Sequence, residues 1–147
     1  MTCLEVFATL RIFSSSLHPD EISHIIGVNA TQSRPIEPNS KYRPRREHHY
    51  WGWESRSEIQ TRDGLDHVRA VIGLLQGREH LLKELREGGC DIDVCCYWVS
   101  SGQGGPLLDV PTLGALARLG LEIWWDVYFG EEEEYVEATA GNIAGGA

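Results

Sequence analysis

The sequence has no apolar run approaching the roughly 20 residues that a membrane-spanning helix requires. Its first residues do not form the apolar stretch of a signal peptide, because Glu5 and Arg11 punctuate them. A cytoplasmic protein with no membrane partner is expected. No Cys-x-x-Cys pair occurs among Cys3, Cys90, Cys95 and Cys96, and no targeting signal points to an oxidising compartment, so all four thiols are expected to be reduced. Cys95 and Cys96 are adjacent in a strand-like run, where neighbouring side chains point to opposite faces and cannot share a ligand.

Catalytic and cofactor signatures are missing too. There is no Gly-Lys-Ser/Thr or Gly-x-Gly-x-x-Gly phosphate frame, although Ser100 to Pro106 forms a glycine-rich turn between a strand and a helix. Neither His-Glu-x-x-His nor Gly-x-Ser-x-Gly is present. The six histidines fit no metal-ligand spacing, so no metal site and no cofactor are expected. Clustered basic residues are scarce in a chain of net charge −9, which argues against nucleic acid as a partner. One exception stands out. From Arg34 to His49, five cations face two carboxylates, a net +3, which leaves −12 for the rest of the chain.

What is present is an ordinary globular composition, 41% apolar and 24% charged over 147 residues, enough to build one core without staples. Leu4, Val6, Ala8, Leu10 and Ile12 alternate with Glu5, Phe7, Thr9 and Arg11, the pattern of a half-buried strand with its apolar side toward the helices. Pro19 with Asp20 and Glu21 starts a short helix carrying Ile22, Ile25 and Ile26, which Gly27 closes. Residues 28–47, with Pro35, Pro38 and Pro44, read as a long loop, mobile from about Pro35 to Arg46. Aromatics mark a second strand over His48 to Ser55.

A helical pattern from Leu65 to Glu87 changes stripe at Gly77, which predicts two helices or a bend there. Asp91 to Val99 is a third strand, Pro111 to Gly120 another short helix, and Glu122 to Phe129 a fourth strand. Trp98 and Trp125 are assigned to the core, with Trp124 and one of Trp51 and Trp53 left partly exposed. Two strand-helix-strand units, each with a Ser-Ser exit and a proline helix start, predict an α+β fold. The expected form is a four-stranded, mainly antiparallel, ferredoxin-like sheet with helices on one face and a long or bent helix between the halves. Residues 1–130 form one domain in this reading, and 131–147 an acidic, Gly/Ala-rich flexible tail.

Leu10-Arg11-Ile12-Phe13, Pro19-Asp20-Glu21-Ile22, Ile26-Gly27-Val28, Trp51-Gly52-Trp53-Glu54-Ser55 and Leu119-Gly120-Leu121-Glu122-Ile123 resemble the bacterial domain of unknown function 4279 family, over Leu4 to Phe129. The resemblance implies a small bacterial α+β domain. It brings no established activity, so it assigns no catalytic or binding residue.

The face that the alternating strands leave free of helices carries Phe7, Thr9, Arg11, Asp93, Tyr97, Trp124, Asp126 and Tyr128. The candidate binding set is Arg11, Trp51, Trp53, Asp93, Tyr97, Trp124, Asp126 and Tyr128, with Gly52 between the two tryptophans permitting close approach. Exposed aromatics and arginine are the side chains that protein interfaces favour. The leading reading is therefore a non-enzymatic binder of another, basic protein, such as an immunity-type inhibitor of a toxin, with a second copy of the chain as a further partner. The competing reading is a small-ligand enzyme using Asp93, Asp126 and Tyr128, with Glu122 as a further carboxylate. A deep pocket with converging carboxylates favours the enzyme, and a flat exposed face favours the binder.

Overall fold

The computed structural model describes residues 3–37 and 47–131. Within them lie five strands: β1 (Cys3–Ser14), β2 (Gln32–Arg34), β3 (His49–Glu54), β4 (Asp91–Ser100) and β5 (Ile123–Phe129). Four helices accompany them: α1 (Pro19–Ile26), α2 (Gly64–Leu75), α3 (Glu79–Glu87) and α4 (Val110–Leu119). The strands form one sheet in the order β2-β3-β1-β4-β5, antiparallel except for the parallel pair β4/β5.

β1 is the central strand, paired with β3 on one side and β4 on the other, and its strict alternation turns one row of apolar side chains toward the helices. Leu4, Val6, Ala8, Leu10 and Ile12 are all buried. Ala8, Leu10 and Ile12 share one core with Ile22 and Ile26 of α1, Val68, Val71 and Leu75 of α2, Leu82 and Leu85 of α3, and Leu116 and Leu119 of α4. All four helices thus pack on one side of the sheet. No helix among the described residues is long and apolar enough to cross a membrane.

Local chemistry ends each helix where the sequence indicates. His18 caps α1: its Nδ1 accepts from the Asp20 N–H, while the Glu21 carboxylate accepts from the His18 N–H. Gly27 and Gly120 close α1 and α4 in the left-handed conformation, at φ 73° and 66°. Gly77, at φ 79°, breaks the long helical pattern into α2 and α3. Arg78 then seals the exposed carbonyl ends, donating to Ile26 O (3.1 Å) and Leu74 O (2.8 Å), and Arg86 does the same for Leu119 and Gly120.

Two expectations need correction. The sheet has five strands, because Gln32–Arg34, inside the segment expected to be loop, pairs with β3. Three exposed residues without apolar alternation carry no strand signal. The division into halves also differs from the one expected: in a ferredoxin-like sheet each helix joins parallel strands with a third strand between them, and here that holds for α1 and for the α2/α3 segment but not for α4. The first half does have this form: α1 leads to β2, which runs parallel to β1, and β3 turns back to insert between them. The α2/α3 segment likewise joins β3 to the parallel β4 with β1 between them, whereas α4 connects β4 directly to its neighbour β5, an added parallel strand at the edge. Most of the basic loop and the tail, residues 38–46 and 132–147, lie outside the described residues, as does most of the segment expected to be mobile.

Candidate functional site

Strand pairing sets the open face in rows. Phe7, Tyr97 and Asp126 stand in register across β1, β4 and β5, and the next row holds Glu54, Thr9, Cys95 and Trp124. Beyond it Arg11 faces Asp93. Small side chains at Thr9 and Cys95 therefore lie between two rows of large ones.

The large rows are organised by aromatic and ionic contacts. Tyr97 stacks on Phe7 with centroids 4.9 Å apart and meets Tyr128 at 5.2 Å. Arg56 lies 4.1 Å over the Phe7 ring while its Nε reaches Glu54 at 2.7 Å. On the far side Arg11 bridges Asp93 bidentately, Nε to Oδ1 and Nη2 to Oδ2, each at 2.7 Å. Phe13 and Tyr50 continue this side, with Arg34 over Tyr50.

Electrostatics follow from these contacts. Hydrogen bonding to Asp93 raises the Arg11 pKa further. Burial pushes the Tyr97 hydroxyl up, helped by the nearby Glu5 and Asp126 carboxylates. Tyr128 is raised mainly because its hydroxyl donates to Asp126 at 3.2 Å. Both tyrosines thus remain neutral donors at physiological pH.

Six of the eight candidate residues, Arg11, Asp93, Tyr97, Trp124, Asp126 and Tyr128, occupy this one face. The other two do not. Trp51 and Trp53 are buried in the helix-side core, where the Trp51 indole N–H donates to Ser23 Oγ at 2.8 Å and ties β3 to α1. Both occupy odd positions of β3, in phase with each other and opposite to Tyr50, Gly52 and Glu54, so one face had to take both. The open space above Gly52 is filled by its own neighbour: a Cβ there would come within 2.5 Å of the Tyr50 hydroxyl. Trp98 is buried as expected, whereas Trp125 is exposed because β5 lies at the sheet edge.

The carboxylates do not converge. Asp93 is engaged by Arg11, and Asp126 stands in the Tyr97 row, bonded to Tyr128. Among the described residues no cluster of three His, Cys, Asp or Glu side chains could hold a metal. A hollow of about 420 Å³ between α2 and α4 is on the opposite side of the molecule and is lined by Ile72, Gln76, Ala115 and Arg118.

One constellation had no signal in the sequence. Ser55 Oγ lies 2.6 Å from His67 Nδ1, and His67 Nε2 lies 2.8 Å from the Thr61 carbonyl. Since a carbonyl only accepts, Nε2 carries the hydrogen and Nδ1 accepts from the serine hydroxyl. The geometry resembles a nucleophile and its base, but both side chains are sealed from solvent and the serine oxygen already accepts from the Ala8 N–H at 2.9 Å. The pair is a pin joining β1, the end of β3 and α2. Its partners are twelve residues apart, a spacing that belongs to no motif.

The family model described as domain of unknown function (DUF4279) matches residues 4–130. The chain belongs to this family. Comparison with curated proteins and with solved structures finds no match. For this DUF4279 member, the functional reading therefore rests on its own geometry.

Proposed function

We propose that this protein is a cytoplasmic, non-enzymatic binding protein whose open sheet face engages another protein of basic surface. The observation that carries this reading is the pairing of Arg11 with Asp93, which removes the best-placed carboxylate from acid-base chemistry while leaving Trp124 and Tyr128 exposed beside Asp126. Exposed aromatics flanked by fixed polar groups are the anchors that protein interfaces use.

Charge supports a basic partner. Arg11, Arg56 and Arg69 are each matched by a carboxylate, which leaves the chain's net charge of −9 unchanged. The excess of carboxylates then faces outward and speeds encounter with a cationic surface. An immunity-type inhibitor that covers a toxin's basic active site is the specific form of this reading.

The test compares capture by the wild type and by a Trp124→Ala/Tyr128→Ala variant of equal thermal midpoint, followed by titration of the captured protein in purified form. The variant is expected to lose at least tenfold in affinity, and an Asp126→Lys variant to associate more slowly. Equal affinity of wild type and double variant removes this face from consideration.

A further inference from the structure

Strand β5 is unfinished at its outer edge. Its Trp124, Trp125, Val127, Tyr128 and Phe129 are 58%, 40%, 46%, 49% and 79% exposed, so both faces of the strand meet solvent. Among the described residues no strand lies beyond it. Proteins that remain monomeric guard such edges with proline, lysine, bulges or very short strands. β5 uses none of these: its seven residues, Ile-Trp-Trp-Asp-Val-Tyr-Phe, contain one charge and no proline. The opposite edge is guarded, since β2 has only three residues and ends in Arg34.

The backbone shows which groups are available. The Val94 N–H donates to the Glu122 carbonyl at 2.9 Å, and the Gly130 N–H to the Ser100 carbonyl at 3.1 Å. Alternate residues of a strand aim their peptide groups to the same side. The even-numbered residues of β5 therefore bond to β4, while Trp125, Val127 and Phe129 turn their N–H and C=O groups outward.

We propose that a second copy of this chain completes the sheet by antiparallel pairing of the two β5 edges about a twofold axis through Val127. In this register Val127 pairs with the partner subunit's Val127, Trp125 with the partner subunit's Phe129, and Asp126 with the partner subunit's Tyr128. Each opposed pair is apolar or joins a hydroxyl donor to a carboxylate. Centring the axis on Asp126 would set two carboxylates directly opposite each other, and like charges in that position destabilise pairing. Centring it on Trp125 would leave Phe129, the most exposed of the five, opposite Leu121, which precedes the strand.

The area sets the strength. At roughly 200 Å² per aromatic side chain, the exposed parts of the four aromatics amount to on the order of 450 Å² per copy. With Val127 and the strand edge added, the pair buries at most about 1,000 Å², below the standard size for a specific interface, so a weak, micromolar, concentration-dependent dimer is expected. The twofold axis is perpendicular to the sheet, so both open faces share one side of a ten-stranded sheet. This goes beyond the binding role argued above and requires no other protein.

Sedimentation velocity of the full chain, over roughly a hundredfold range through the micromolar region, tests it. The mass should rise from 16.5 kDa toward twice that value. Val127→Pro removes an N–H that points away from β4, which an edge strand tolerates, and should stay monomeric at the highest concentration with unchanged circular dichroism. Phe129→Lys alters an exposed side chain and should weaken association at least tenfold, so it decides the matter if the proline variant does not fold. A wild type that is monomeric throughout, or variants that associate as the wild type does, would overturn the proposal.

Discussion

Arg11 and Asp93, 82 residues apart in sequence, close on each other across the β1/β4 boundary through two parallel 2.7 Å hydrogen bonds. The pair is only partly exposed, with side-chain accessibilities of 25% and 18%, so water screens it incompletely. A double-mutant cycle of Arg11→Met and Asp93→Asn, read by urea unfolding, should give a coupling of about 1–2 kcal/mol. A coupling indistinguishable from zero would mean that the pair only decorates the sheet.

Removing the Ser55 hydroxyl leaves the Ala8 N–H and His67 Nδ1 buried without a partner. Ser55→Ala should therefore lower stability by about 1–3 kcal/mol, as loss of a buried hydrogen-bonding partner does. Hydrogen exchange at Ala8 should accelerate in the variant, and an unchanged rate there would exclude the pinning role.

The four thiols are free, and burial raises each of their pKa values, that of Cys96 from 9.0 to about 12. Above pH 9 the unfolded chain ionises Cys96 while the folded chain cannot, so the unfolded state binds fewer protons and stability falls between pH 9 and 12. The Cys96 contribution should reach about 1–2 kcal/mol of lost stability at pH 10. Urea midpoints in reductant at pH 7.5 and 10 should differ less for Cys96→Ala than for the wild type. Equal differences in the two proteins would show that the alkaline loss has another source.

Gly64, the first residue of α2, has no room for a side chain: an added Cβ would come within 2.5 Å of Pro106 Cβ. Gly64→Ala should cost about 1–3 kcal/mol by displacing the Pro106 segment. Adding Pro106→Gly should recover part of the loss in the thermal midpoint, whereas strictly additive losses would show that the two residues are not coupled.

Much of the fold was legible because its signals are local. The apolar alternation of β1, the proline starts of α1 and α4, the glycine ends at Gly27 and Gly120 and the break at Gly77 each arise from a few neighbouring residues. The strand order was not, since it depends on pairings such as Arg11 with Asp93 that no window of sequence contains. β2 escaped because Gln32, Ser33 and Arg34 bury no apolar side chain. Period-two counting placed Trp125 inward, but an edge strand has a neighbour on one side only, so inward residues there stay partly wet. Six of the eight candidate binding residues could be placed together because they share the phase of three long strands. The same phase rule, applied across Gly52, assigns Trp51 and Trp53 to the other side.

The central position of β1 also determines when this chain can begin to fold. Its partner β4 starts at Asp91, so Leu10 and Ile12 gain only one neighbouring strand, β3, until about 80 further residues are available. Loop-closure entropy must be overcome before these distant pairings repay it, which places folding in the millisecond-to-second regime of sheets rich in long-range contacts. On the ribosome, at roughly 5–20 residues per second, the strand that becomes the middle of the sheet stays unpaired on the β4 side for several seconds. During that interval its alternating apolar face and its unpaired edge are open to aggregation.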